Sequence, residues 1–192
     1  MEIILASQSP RRRQLLAQLG LRFDVRPADV DETFDPKLRP EENVARLAEK
    51  KALAAAAAAN PEDIVVAADT IVVSGRHILG KPADGADAAR MLRLLSGRAH
   101  RVLTGVTVRA SGRTDTRVVT TRLRFRSLSD GEIAAYIATG EPMDKAGAYG
   151  IQGLAAVFVE GLTGDYFNVM GLPLCTLADM LRRAGIPILD TL

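Results

Sequence analysis

The chain has 192 residues, 47% of them apolar and 25% charged, with a formal net charge of +2. That length fits one domain with a real core, as a single body or as two lobes, and no general electrostatic attraction to nucleic acid or membranes follows from the near balance of charge. Cys175 is the single cysteine, and His77 and His100 are the two histidines, which excludes an internal disulfide, a cysteine zinc site and a histidine-rich metal centre.

Ile3-Ile4-Leu5 reads as a short buried strand, followed by a polar turn and a helix. Ser9 suits the N-cap and Pro10 the first helical position, where its missing N–H would have no partner anyway. Leu15, Leu16 and Leu19 form the buried stripe, and Gly20 stops the helix. Arg11, Arg12 and Arg13 crowd the first turn, against a helix dipole that disfavours cations there by about 0.3–1 kcal/mol each when exposed. With Ser7, Ser9 and the free N–H groups they make an anion trap suited to a polyphosphate. The competing reading is a solvated basic turn, since arginine is a good helix former.

Leu21 to Arg26 alternates and predicts a strand. Pro27 to Pro40 is a long acidic loop with Asp29, Asp31, Glu32 and Asp35; a loop of this length in a compact domain is often functional, although solvation suffices for Asp29 and Asp35. Pro40-Glu41-Glu42 opens a helix through Val44, Leu47 and Ala48 to the alanine run Ala54–Ala59, ended by Asn60-Pro61. Lys51 falls on the apolar stripe of that helix. It either snorkels at the rim of the core, the commoner case, or reaches into a site.

Ile64 to Val73 is the strongest strand signal, nearly continuous apolar sequence of the kind covered on both faces. Asp69 interrupts it, and an unpaired buried carboxylate is expensive. A cation or hydrogen-bond donors must meet it, or it lies at an exposed edge. Buried acids tend to mark functional sites, with a structural carboxylate bonded to backbone amides as the alternative.

Ser74-Gly75 turns the chain, and Gly80-Lys81-Pro82 follows Ile78-Leu79 without the spacing of a Walker loop. Ala86 to Leu95 predicts a helix stopped at Gly97. Val102–Val108 and Val118–Phe125 predict two strands joined at Ser111-Gly112. Arg122, Arg124 and Arg126 give the second a basic face, which lacks the interleaved aromatics of a nucleic-acid surface. Ser129 and Glu132 form a capping box for a helix ending near Gly140. Asp144 to Gly153 holds three glycines, a loop whose backbone approaches something closely, and Gln152 there could read a base edge; a tight structural loop explains the composition equally well. Ala155–Val159 predicts a strand, Gly161–Gly164 a turn, and Leu172-Pro173-Leu174 the start of a last helix stopped at Gly185. No signal-peptide pattern and no membrane-length apolar run stands in the sequence. Alternating strands and helices with hairpins among them predict an α/β domain with a mixed sheet.

Six ordered motifs resemble the Maf family of nucleoside triphosphate pyrophosphatases, also called septum formation inhibitor, over almost the whole chain. They are Leu5-Ala6-Ser7-Gln8-Ser9-Pro10-Arg11-Arg12, Lys51-Ala52, Ala68-Asp69-Thr70, Gly80-Lys81-Pro82, Asp144-Lys145-Ala146-Gly147-Ala148-Tyr149 and Gly171-Leu172-Pro173-Leu174. The resemblance implies a single domain over residues 1–192, an elongated α/β fold with a twisted mixed sheet flanked by helices and a central substrate cleft, and a cytoplasmic homodimer. It implies hydrolysis of a nucleoside triphosphate to the monophosphate and pyrophosphate with a divalent metal, Mg²⁺ or Mn²⁺. The family divides by substrate at the positions of Arg11, Thr70 and Gln152, and this set resembles the branch acting on dTTP and UTP, with modified pyrimidine nucleotides as further candidates. The branch preferring 7-methylguanosine triphosphate carries tryptophan, glutamine and glutamate there.

On that resemblance Asp69 is the general base or a metal ligand, and Glu32 shares the metal. Arg11, Arg12, Lys51 and Lys81 neutralise phosphates, Ser7 adds a neutral donor, and Thr70 and Gln152 discriminate the pyrimidine. A non-catalytic, nucleotide-sensing regulator of cell division would use the same phosphate pocket but needs no water-activating carboxylate. A nucleic-acid binder acting through Arg122 to Arg126 is disfavoured by the low net charge.

Overall fold

A computed structural model describes residues 1–189. The strands are β1 (Ile3–Leu5), β2 (Asp24–Val25), β3 (Ile64–Ser74), β4 (His77–Leu79), β5 (Ala99–Ala110), β6 (Arg113–Phe125) and β7 (Val159–Thr163). The α-helices are α1 (Pro10–Gln18), α2 (Pro40–Ala56), α3 (Gly85–Leu95), α4 (Asp130–Ala138), α5 (Tyr166–Met170) and α6 (Leu174–Arg183). The sheet runs in the order β2-β1-β3-β5-β6-β7, with β4 paired to β3. It is mixed: β1 is parallel to β2 and β3, while β3–β4 and β6–β7 are antiparallel.

The chain forms two compact units. One comprises residues 1–69, 104–119 and the chain from Gly171 onward, and the other comprises Thr70–Leu103 and Thr120–Met170. In the first unit Ile4, Ala6, Val65 and Ala67 pack against Ala52 and Ala55 of α2. In the second, Leu92, Leu95, Leu123, Phe125, Ile133 and Phe158 belong to a larger apolar cluster.

The capping predictions hold. Ser9 accepts from the Arg12 amide at the start of α1, and Ser129 and Glu132 close a reciprocal box at α4. Two expected strands differ. The Leu21–Arg26 strand shrinks to Asp24–Val25, an exposed pair on a sheet edge that can extend no further than its three-residue neighbour β1 allows. The strand expected at Ala155–Val159 is a 3-10 helix over Leu154–Phe158, and the strand begins at Val159. Ala155 and Phe158 are buried while Ala156 and Val157 are exposed, a spacing of three that fits a 3-10 turn and not an alternating strand. The Gly161–Gly164 turn accordingly gives way to strand, with Gly161 paired to Arg124.

Candidate active site

The chain leaves β1 through α1 to β2 on one side, then returns through α2 to β3 on the other. The strand order therefore reverses at β1, and ligands of open α/β sheets bind beyond the carboxyl end of such a strand. Ser7-Gln8-Ser9 and the N-terminus of α1 occupy that position. Ser7 is buried, and its hydroxyl accepts from the Ser9 amide at 3.2 Å. Arg12 donates through Nε to the Gly171 carbonyl at 2.8 Å and through Nη1 to Ser7 Oγ at 3.4 Å. Gly171 has φ +107°, a left-handed conformation that favours glycine and aims its carbonyl at Arg12. Burial lowers the Arg12 pKa from its ordinary value, while the charges of Asp69 and Glu32 oppose that shift and Arg11 adds to it.

Asp69 follows Val65 and Ala67 on one face of β3, because side chains alternate along a strand. Those two pack against α2, so Asp69 meets the same helix one step further along. Lys51 of α2 answers it: Nζ lies 2.7 Å from Asp69 Oδ1 and 2.7 Å from Glu32 Oε1. Lys51 and Asp69 are buried, whereas the Glu32 side chain stays 58% exposed. Lys51 thus does not snorkel to solvent; its ammonium turns inward onto two carboxylates.

The acidic loop is tied to α2 by residues that sequence reasoning did not single out. Buried Asn43 accepts from the Asp35 amide and donates to the Asp35 and Leu38 carbonyls. Arg46 donates to the Thr33 carbonyl and Lys50 to that of Asp31, each at 2.8 Å. Glu32 thus sits between two anchored carbonyls. The signal for this was the i, i+4 row Arg46–Lys50 beside an acidic loop.

Ser7, Arg12, Glu32, Lys51 and Asp69 come together in the first unit, joined by Arg11, half-buried on the first turn of α1. Thr70, Lys81 and Gln152 belong to the second. Thr70 is half-buried on β3, and Lys81 and Gln152 are exposed. The Lys81 and Gln152 loops are connected there, since the Gly147 amide donates to the Gly80 carbonyl at 3.0 Å. Arg124 of β6 pairs with Glu160, and Arg126, one residue beyond the strand, pairs with Glu132. No helix among the described residues is long and apolar enough to cross a membrane.

Residues 2–184 match the family described as Maf-like protein. The chain is 54% identical over 190 residues to a dTTP/UTP pyrophosphatase of Anaeromyxobacter dehalogenans, covering 97% of this chain and 95% of the relative. It is 52% identical over 186 residues to a dTTP/UTP pyrophosphatase of Koribacter versatilis, covering 97% and 96%. For a dTTP/UTP pyrophosphatase of Bacillus pumilus the figures are 48% over 185 residues, covering 96% and 97%. Among solved structures, a HAM1 protein from Coxiella burnetii shares the fold with a TM-score of 0.53 at 17% identity, over 96% of this chain and 100% of that one.

Proposed function

The chain belongs to the Maf-like protein family, and from that premise we propose that it is a dTTP/UTP pyrophosphatase, releasing the nucleoside monophosphate and pyrophosphate. The observation that carries the reading is the meeting of Ser7, Arg12, Glu32, Lys51 and Asp69 at the carboxyl end of β1. It occurs in a chain about half identical, over nearly its full length, to proteins named for that activity.

Hydrolysis of a phosphoanhydride asks little covalent chemistry of a protein; it asks for a positioned water and for cations around the developing charge. In this proposal Asp69 accepts a proton from the attacking water. The water oxygen bonds to the α-phosphorus, the bond to the bridging oxygen breaks, and its electron pair leaves with pyrophosphate. Lys51, Arg11, Arg12 and Lys81 neutralise the phosphate oxygens, while Ser7 and the first amides of α1 add neutral donors. Arg11, Thr70 and Gln152 set the preference for a pyrimidine, with modified pyrimidine nucleotides as further substrates.

The donor set fits a divalent cation. Two carboxylates gathered on one ammonium match a Mg²⁺ that takes one or two carboxylates together with substrate phosphates and keeps several waters. No group of three or more histidine, cysteine or acidic side chains that could hold a metal occurs among the described residues, so substrate would complete the coordination. Glu32 and Asp69 would hold Mg²⁺ or Mn²⁺, which when bound supplies charge neutralisation at the phosphates and a more acidic water.

The homodimer and the cytoplasmic location are part of the same proposal, tested by sedimentation equilibrium and by cell fractionation. The catalytic assignment is tested by Asp69→Asn. Turnover of UTP should fall by at least about 10²-fold while UTP binding persists, the scale on which a general base contributes. Near-normal turnover by a folded variant would remove Asp69 from the chemistry.

A further inference from the structure

Gln152 sits in Gly150-Ile151-Gln152-Gly153, a turn closed by the Gly153 amide donating to the Gly150 carbonyl at 3.0 Å. Two side chains from outside the turn hold its ends. Tyr136 of α4 accepts from the Gly150 amide at 3.2 Å and donates its own O–H to Glu141 Oε1 at 2.9 Å. The other oxygen of Glu141 accepts from the Leu154 amide at 3.0 Å. One carboxylate and one phenol thereby fix a backbone N–H on each side of Gln152.

Both glycines of the turn lie close against side chains of this cluster. A Cβ built on Gly153 would collide with the Glu141 carboxylate, and one built on Gly150 would lie 2.6 Å from Lys145 Cε. Lys145 in turn donates to the Glu141 carbonyl and to Asp144 Oδ1, each at 2.6 Å, so the backbone that presents Glu141 is itself held. Ile151 is buried in the apolar cluster with Tyr149 and Phe158, leaving Gln152 as the exposed side chain of the turn. Burial and Glu141 raise the Tyr136 pKa above its ordinary value, so the phenol keeps the proton it donates.

We propose that Glu141, acting through Tyr136 and the Leu154 amide, is the positioning residue that holds Gln152 for base discrimination. This rests on the reading of Gln152 as the residue that meets the base. A glutamine amide carries one acceptor and one two-proton donor and can turn to suit a uracil or a cytosine edge. Its selectivity therefore depends on the backbone it starts from. Holding that backbone in advance also spares the ordering cost on binding.

The test is kcat/KM for UTP, CTP and GTP in the full chain and in four variants: Tyr136→Phe, Glu141→Gln, Gln152→Ala, and Gln152→Ala combined with Tyr136→Phe. Tyr136→Phe keeps the ring and its place in the core while removing the hydroxyl, so it remains informative where Glu141→Gln folds poorly. Tyr136→Phe and Glu141→Gln should lower the preference for UTP over CTP roughly three- to tenfold, the scale of one net hydrogen bond. The double variant should lose no more preference than Gln152→Ala alone, because the clamp acts only through that side chain. A purely structural role would lower kcat/KM for all three nucleotides alike and leave the ratio unmoved, which would overturn the proposal. If Gln152→Ala loses the preference while Tyr136→Phe and Glu141→Gln keep it, the clamp falls and the reading of Gln152 stands. If Gln152→Ala itself keeps the preference, that reading falls and the clamp's role falls with it.

Discussion

Lys51 donates to Asp69 at 2.7 Å from a helix one layer above the strand, and the two side chains retain only 10% and 11% of their exposure. Burying a pair this way costs desolvation on both sides. Removing Lys51 takes the ammonium from a buried carboxylate, a loss of about 3–5 kcal/mol in comparable cases, whereas removing the Asp69 charge leaves Lys51 its second partner, Glu32. Lys51→Met and Asp69→Asn should each destabilise the protein. The double variant should be less destabilised than their sum by at least about 1 kcal/mol. Urea unfolding of all four proteins measures this; simple additivity would mean that the pair is not coupled.

Arg12 should tolerate even a conservative change poorly. Its Nε holds the Gly171 carbonyl, and the flat guanidinium fork is what lets one side chain touch Gly171 and Ser7 together. Arg12→Lys keeps the charge and loses the fork, so kcat/KM for UTP should fall about tenfold or more. Arg13, exposed on the same turn, serves as the control, and Arg13→Lys should stay close to the unmodified protein. Equal effects of the two changes would show that only summed charge matters on that turn.

Gly105 of β5 lies against the backbone of α2 at Val44 and Ala45. A Cβ there would stand 2.8 Å from the Val44 carbonyl carbon, which is backbone and cannot swing aside. Gly105→Ala should therefore destabilise by about 1–3 kcal/mol, as overpacking does, although alanine otherwise suits a strand better than glycine. An unchanged urea midpoint would contradict this contact.

Acid should weaken the fold through His100. It is buried against Phe125 and Tyr149, with Nε2 2.9 Å from the Tyr149 hydroxyl. Burial pushes its pKa down from 6.5 to about 4, against a smaller opposing effect of the Arg98 backbone. Between those values the unfolded chain takes up a proton that the native chain refuses, so stability rises with pH and is lost as pH falls from about 6.5 toward 4. The full effect of this one group is about 3 kcal/mol at 1.36 kcal/mol per pKa unit. Proton NMR should show His100 neutral at pH 5.5, and stability should decline across that window; a ring titrating near 6.5 would remove the effect.

Much of the fold was legible because its signals are local. Ser9-Pro10 and Ser129 with Glu132 are caps whose chemistry is complete within four residues, and both formed as read. Ile64 to Val73 announced a strand covered on both faces by composition alone. The failures came where a distant partner decides. Leu21–Arg26 carries a strand pattern, but its pairing partner offers three residues. Ala155–Val159 carries β-formers, but burial of Ala155 and Phe158 favours a spacing of three.

The site divides in the same way. Asp69 was recognisable because an acid in an apolar strand demands a partner, yet helical periodicity did not favour Lys51 over a solvated rim lysine, and the family resemblance set Lys51 on phosphate without pairing it to Asp69. Only the register of β3 under α2 makes that choice. Glu141 and Tyr136 gave no signal in the sequence, since their joint hold on the Gln152 turn depends on contacts thirteen and fourteen residues away in the chain. Asn43 stayed unremarked for a related reason: an asparagine at a helix start usually serves its own helix, and this one serves the loop carrying Glu32.

The most direct measurement is pyrophosphate release by the purified chain from dTTP, UTP, CTP, GTP and 7-methylguanosine triphosphate, each with added Mg²⁺ or Mn²⁺. The account predicts selective turnover of dTTP and UTP that depends on the divalent cation. Turnover of a purine nucleotide in their place would contradict the roles given to Arg11, Thr70 and Gln152. Tight binding of UTP without turnover under either metal would contradict the central claim that Asp69, Lys51 and Glu32 form a hydrolytic site.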